Sequence, residues 1–111
     1  MNSLGVVEIS EARANEVRIT EDMLVVGLAD GRVLSVPLLW YPRLWYATPE
    51  ERANVVLLGE GTILHWPDLD EDLSVTGLLL GKKSGESPES LQRWLDGRKH
   101  SDKHPPAERE S

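Results

Sequence analysis

Residues 23–38, MLVVGLADGRVLSVPL, decide the fold class. Leu24, Val26 and Leu28 alternate with their neighbours, Ala29-Asp30-Gly31 intervenes, and Leu34, Val36 and Leu38 resume the alternation. An Asp-Gly turn between two period-two runs is the signature of a β-hairpin. The alternation also selects the loop. A two-residue Asp30-Gly31 turn would pair Leu28 with Val33 and put Leu34 on the wrong face. A three-residue loop with Gly31 in a left-handed bulge pairs Val26 with Leu34 and gathers Leu24, Val26, Leu34 and Val36 on one face. Pro37 cannot donate to a ladder and belongs at a strand end.

Upstream, Glu16–Thr20 reads as a short strand with Val17 and Ile19 on one face. Gly5–Ser10, with Val7 and Ile9, reads as another. Downstream, Pro42 starts a single helical turn through Trp45. Thr48-Pro49-Glu50-Glu51 is a strong helix start: Thr48 caps, Pro49 fits the first turn and Glu51 completes a capping box, with the helix reaching about Val55. Gly59-Glu60-Gly61 is a turn. Thr62–Trp66 alternates as a strand, closed by Pro67. Leu73–Leu80 reads as a short helix ending at Gly81, with the acids Asp68–Asp72 at its N-terminus, where carboxylates suit the free N–H groups and the dipole. The expected architecture is α+β: a small antiparallel sheet with short helices, in a single domain over residues 1–81. Residues 82–86 read as a linker. An amphipathic helix at 87–97 carries Leu91, Trp94 and Leu95 on one stripe, with Gly97 as its cap. The segment 98–111 has no aliphatic side chain larger than Ala107 and reads as a disordered tail.

A chain of 111 residues with no cysteine excludes disulfides and thiolate metal sites. The N-terminus lacks the basic region and apolar run of a signal peptide, and nothing approaches a membrane span, so a cytoplasmic location is expected. Residues 1–86 hold 7 Lys/Arg against 14 Asp/Glu, and residues 87–111 hold 5 against 5, so the net charge of −7 lies wholly in the folded part. That balance disfavours binding phosphate backbones and favours a basic partner.

Two clusters carry candidate chemistry. His65, Asp68, Asp70, Glu71 and Asp72 combine an imidazole with carboxylates, as metal binding or acid–base work would require. The one-three-five spacing of Asp68, Asp70 and Asp72 imitates a calcium loop, but Leu73 and Leu79 stand where that loop needs glycine and glutamate. Structural capping is the simpler reading. Ser35, Thr62 and Ser74 have no evident base, and no metal or other cofactor is expected. Arg43 and Arg52 are placed to pair with these acids. The other cluster, residues 40–46 (WYPRLWY), holds four of the six aromatic residues. In a chain without phenylalanine, some of these must build the core. Trp40, Tyr41, Arg43 and Trp45 are also the residue types of interface hot spots. The stripe Leu91, Trp94 and Leu95 is the second candidate interface, expected to pack on a partner or a second copy more than on its own domain.

The strings DGR (30–32), VPL (36–38), YPRL (41–44), TPEER (48–52), HWPDLDEDLSV (65–75) and LLLG (78–81) resemble a bacterial family, domain of unknown function 2442, over about residues 14–81. The resemblance implies a compact α+β domain of bacterial origin with no known reaction. It also implies membership of two-gene pairs similar to toxin–antitoxin modules. Some relatives carry a helix-turn-helix domain, for which residues 82–111 are too few. The expected function is therefore non-enzymatic protein binding, antitoxin-like, with a basic protein partner or a second copy of the chain, no membrane, and no nucleic acid bound by the domain alone. The alternatives are a DNA-associated regulator and a metal-dependent enzyme built on His65 and the Asp68–Asp72 cluster.

Overall fold

The structure, a computed structural model, describes residues 12–100. The strand expected at Gly5–Ser10 and the tail beyond residue 100 lie outside the described residues. The fold is α+β, with two three-stranded antiparallel sheets and a few short helices around one core. The first sheet has the order β1 (Ala14–Ile19), β2 (Met23–Leu28), β3 (Val33–Pro37). The second has β4 (Val56–Leu58), β5 (Ile63–Trp66), β6 (Glu71–Ser74). The helices are α1 (Pro42–Trp45), α2 (Pro49–Ala53), α3 (Val75–Leu79) and α4 (Pro88–His100).

The β2–β3 hairpin has the register that its alternation demands. Leu24 faces Val36 and Val26 faces Leu34. Leu28 N–H donates to the Arg32 carbonyl at 2.8 Å, and Gly31 has φ +98°. Nothing stands near a Cβ added at Gly31, so glycine is there for its backbone conformation alone. Leu24, Val26, Leu28 and Val36 are buried from this sheet. Leu64, Trp66 and Leu73 are buried from the second, and Leu38, Tyr41, Leu44, Leu69, Val75 and Leu78 fill the space between. A bulge in β1 between Ala14 and Glu16 turns Ala14 into the core. Gly61 ties β1 to the second sheet, because a Cβ on it would lie 2.4 Å from the Ala14 carbonyl oxygen.

Thr48 caps α2 as the sequence requires. Its Oγ1 accepts from Glu51 N–H at 3.1 Å, and Glu51 Oε1 accepts from Thr48 N–H at 2.9 Å. Other expectations need correction. Helix α2 stops at Ala53, and Val56–Leu58 forms a strand that the sequence reading did not separate from its surroundings. Residues Glu71–Ser74 are also a strand, paired with β5, so the helix after them starts only at Val75 with Ser74 as its cap. The acids Asp68–Asp72 therefore stand in a β-turn and a strand, and none of them caps a helix. Helix α4 passes through Gly97 to His100. Gly97 is exposed with open space where a Cβ would be, which lets the helix continue there for the modest cost of glycine in a helix.

Candidate functional site

The β5–β6 hairpin turns through Pro67–Asp70. Leu69 N–H donates to the Trp66 carbonyl at 3.1 Å, and Asp70 takes a left-handed φ of +55°, which a short polar side chain tolerates. Leu69 and Trp66 are fully buried, while Asp68, Asp70 and Asp72 are exposed. The tip thus plugs the core with one side chain and holds carboxylates outward. His65 and Asp72 face each other across the strands, with Nδ1 in contact with a carboxylate oxygen. Asp68 accepts from the Asn54 amide at 3.0 Å. Among the described residues no three His, Asp or Glu side chains converge as a metal site.

Behind the tip lies a charged cluster of different character. Arg43 donates from Nη1 to the Leu69 carbonyl at 2.8 Å. It also grips Glu86 with Nε at 3.0 Å and Nη2 at 2.7 Å. Ser90 Oγ adds a donor to the same carboxylate at 2.7 Å. The Arg43 and Ser90 bonds hold Glu86 below the usual carboxylate range, whereas its partial burial acts the other way. Glu71 is the opposite case. Burial pushes its pKa up to about 7, against the pull of Arg43 and with added repulsion from Glu86, Asp72 and Asp70. Arg43 and Arg52 were both expected to pair with the acids Asp68–Asp72; Arg43 does join distant segments, but through Glu86 and the Leu69 carbonyl. Arg52 instead donates to the carbonyls of Leu44 and Trp45, both at 2.9 Å, and its own carbonyl accepts from the Trp66 indole at 3.0 Å.

The aromatic segment divides. Tyr41 is buried and its hydroxyl donates to the Lys82 carbonyl. Trp40 is half-buried beneath the Lys83 ammonium, 4.9 Å from the ring centroid, and its carbonyl accepts from Ser84 N–H. Trp45 and Tyr46 are exposed. Residues 82–86 are thus strapped to the domain.

Helix α4 lies on its own domain, contrary to the expectation that it packs on a second copy or a partner. Trp94 packs against the core, with the Arg43 guanidinium 5.1 Å and the Arg98 guanidinium 4.6 Å from its ring. Arg98 donates two bonds to Glu51, at 3.0 and 2.9 Å. Leu91 and Leu95 flank Trp94, each half-buried. The sequence reading singled out Arg43 and Trp94 but missed Glu86, Ser90 and Arg98, and gave Glu51 a capping role only. The four-residue step from Trp94 to Arg98 was the one local signal that Arg98 shares the buried stripe.

A family model described as a protein of unknown function, DUF2442, matches residues 14–84. No curated protein matches the chain. Two solved structures are similar. A protein of unknown function from Rhodospirillum rubrum is 32% identical, with 68% of this chain and 94% of that one covered and a TM-score of 0.61. The uncharacterized protein CV0863 from Chromobacterium violaceum is 22% identical, with 83% of this chain and 84% of that one covered and a TM-score of 0.60, a likeness of fold alone. With the model matching well over half of its length, the chain belongs to the DUF2442 family of proteins of unknown function.

Proposed function

We propose that this protein is a non-enzymatic binding domain that masks a basic protein partner, as the antitoxin-like member of a cytoplasmic two-gene bacterial module. The observation that carries the reading is the acidic tip of the β5–β6 hairpin. Asp68 and Asp70 on the turn, and Asp72 in β6 beside it, stand exposed around the fully buried Trp66 and Leu69. A rigid display of charge loses little conformational freedom when a partner docks, and it steers a basic surface toward it. The arginines nearest this tip do not neutralise it from outside: Arg43 and Arg52 donate inward, to carbonyls and to Glu86. The two-gene arrangement is supported by the family resemblance, and among the described residues no helix is long and apolar enough to cross a membrane.

The test is co-purification of the tagged chain with the product of the adjacent gene in the native host. The triple substitution Asp68→Asn, Asp70→Asn, Asp72→Asn keeps side chains that the turn accepts and removes its charge. It should weaken the complex at least tenfold and flatten its salt dependence. A complex indifferent to both changes would overturn the reading.

A further inference from the structure

The sequence holds two Asp-Gly pairs, Asp30-Gly31 and Asp96-Gly97. Such a pair can react with itself. The glycine nitrogen bonds to the carboxyl carbon of the aspartate before it, water leaves, and a cyclic succinimide closes. Glycine is the least hindered partner for this step, because no side chain crowds its nitrogen. Water then opens the ring at either carbonyl. One opening restores aspartate, and the other leaves isoaspartate, with an extra atom in the main chain. No reagent other than water is consumed. The two pairs stand in different surroundings. Asp96-Gly97 lies within helix α4, between Trp94, which packs on the core, and Arg98, which is bonded to Glu51. Asp96 also accepts from the Gln92 amide at 3.0 Å. Freeing the Gly97 nitrogen means unwinding a packed helix. Asp30-Gly31 lies in the exposed loop between β2 and β3. The Gly31 nitrogen is held by a bond to the Leu28 carbonyl at 2.9 Å, and an exposed loop opens at far smaller cost than a packed helix.

We infer that Asp30 is the residue at which the folded domain rearranges to isoaspartate, and that Arg32 sets the rate by gripping its carboxylate. Both oxygens are held. The Arg32 main-chain N–H donates to Oδ1 at 3.0 Å, and Nε donates to Oδ2 at 2.8 Å, with Nη2 2.8 Å from the same oxygen. To close the ring, the carboxyl carbon must swing onto the Gly31 nitrogen, and charge-assisted bonds from Arg32 oppose that rotation. The grip has a second effect. The Arg32 side-chain bond, and then its main-chain bond, hold the Asp30 carboxyl below its ordinary range. The ring closes on a neutral carboxyl, which can lose water, and an ionised carboxylate would have to expel an oxide. Arg32 is thus a positioning residue that slows a reaction of its neighbour. The rearrangement bears on the fold, because the length of this loop sets the register in which Val26 faces Leu34, and an added main-chain atom disturbs it.

The test ages the full-length chain and full-length Arg32→Ala in their folded state, at physiological temperature and from about pH 5 to about pH 8. Isoaspartate at positions 30 and 96 is then quantified after digestion, by mass spectrometry with electron-transfer fragmentation. In both chains it should accumulate at position 30 well ahead of position 96. Arg32→Ala should raise the rate at position 30 about threefold or more. The fall in rate that follows ionisation of Asp30 should also move to higher pH in the variant. In denaturing urea the two positions should react at similar rates, and the difference between the chains should largely vanish. No isoaspartate at position 30, or as much at position 96, overturns the assignment of the site. An unchanged rate and pH profile at position 30 in Arg32→Ala overturns the role of Arg32. So does an equal rise at position 96, because the variant would then react through general unfolding and not through the loop.

Discussion

The β2–β3 and β5–β6 hairpins are built from the same parts and use their turns in opposite ways. In the first, Ala29-Asp30-Gly31 lies wholly in solvent, and its side chains bond only locally, Asp30 accepting from the Arg32 backbone and side chain. In the second, Leu69 at the turn is fully buried, and its carbonyl is gripped by Arg43 from a segment 26 residues earlier. One turn connects its strands and reaches beyond them only through the Ala29 amide, which donates to the Arg13 carbonyl at 2.8 Å, while the other is a piece of the core that joins three parts of the chain. Substitutions in the two should therefore differ in size and in mechanism.

The sharpest contrast is Leu69→Ala. It opens a cavity in a site with no solvent access, and should cost about 2–5 kcal/mol in denaturant unfolding. A loss below about 1 kcal/mol would mean that the turn closes around the gap and is no part of the core. In the first hairpin, Gly31→Ala meets no atom, so only its positive φ resists. A loss of about 1 kcal/mol is expected with no change of structure. A loss as large as that of Leu69→Ala would erase the distinction between the turns.

The smallest effect concerns Glu71, which opens β6 opposite Trp66. Its carboxyl titrates near 4.5 in the unfolded chain and about 7 in the folded one, raised by burial. The folded state then binds the proton more tightly. The contribution is fully present below pH 4.5 and is lost as pH rises toward and through 7. Glu71→Gln should flatten this slope and raise stability at pH 8 by about 0.5–1 kcal/mol after solvent screening, measured as unfolding midpoints from pH 4 to 8. A steeper pH dependence in the variant would show that another group sets it.

How much of this the sequence disclosed follows the same division. The first hairpin was legible down to its register because period-two alternation ran on both sides of an Asp-Gly turn, and burial on one face fixes register. The capping box at Thr48 was legible because it is local. Strand β6 was not. Glu71-Asp72-Leu73-Ser74 has weak intrinsic strand preference and is held by its pairing with β5, and the apolar residues beyond it supplied a helix pattern that hid the strand. Strand β4 offered three apolar residues in a row and hence no period. At the site, Arg43 and Arg52 were read alike as partners of the nearer acids Asp68–Asp72, whereas Arg43 meets Glu86, 43 residues away, and Arg52 meets main-chain carbonyls. The seat of α4 was misread for the same reason. Arg98 meets Glu51 across 47 residues, and no local pattern announces such a contact.

Glu51 has a consequence for how this chain can vary. Its Oε1 accepts both the Thr48 amide and the Arg98 guanidinium, so one atom serves the start of α2 and the floor beneath α4. Without the Arg98 contact the start of α2 would still need that carboxylate, or a glutamine in its place. Substitution at position 51 is therefore costly for a reason unrelated to α4. Glu51→Ala would strike both places at once, whereas Glu51→Gln would spare the cap and give up only the charge that Arg98 meets.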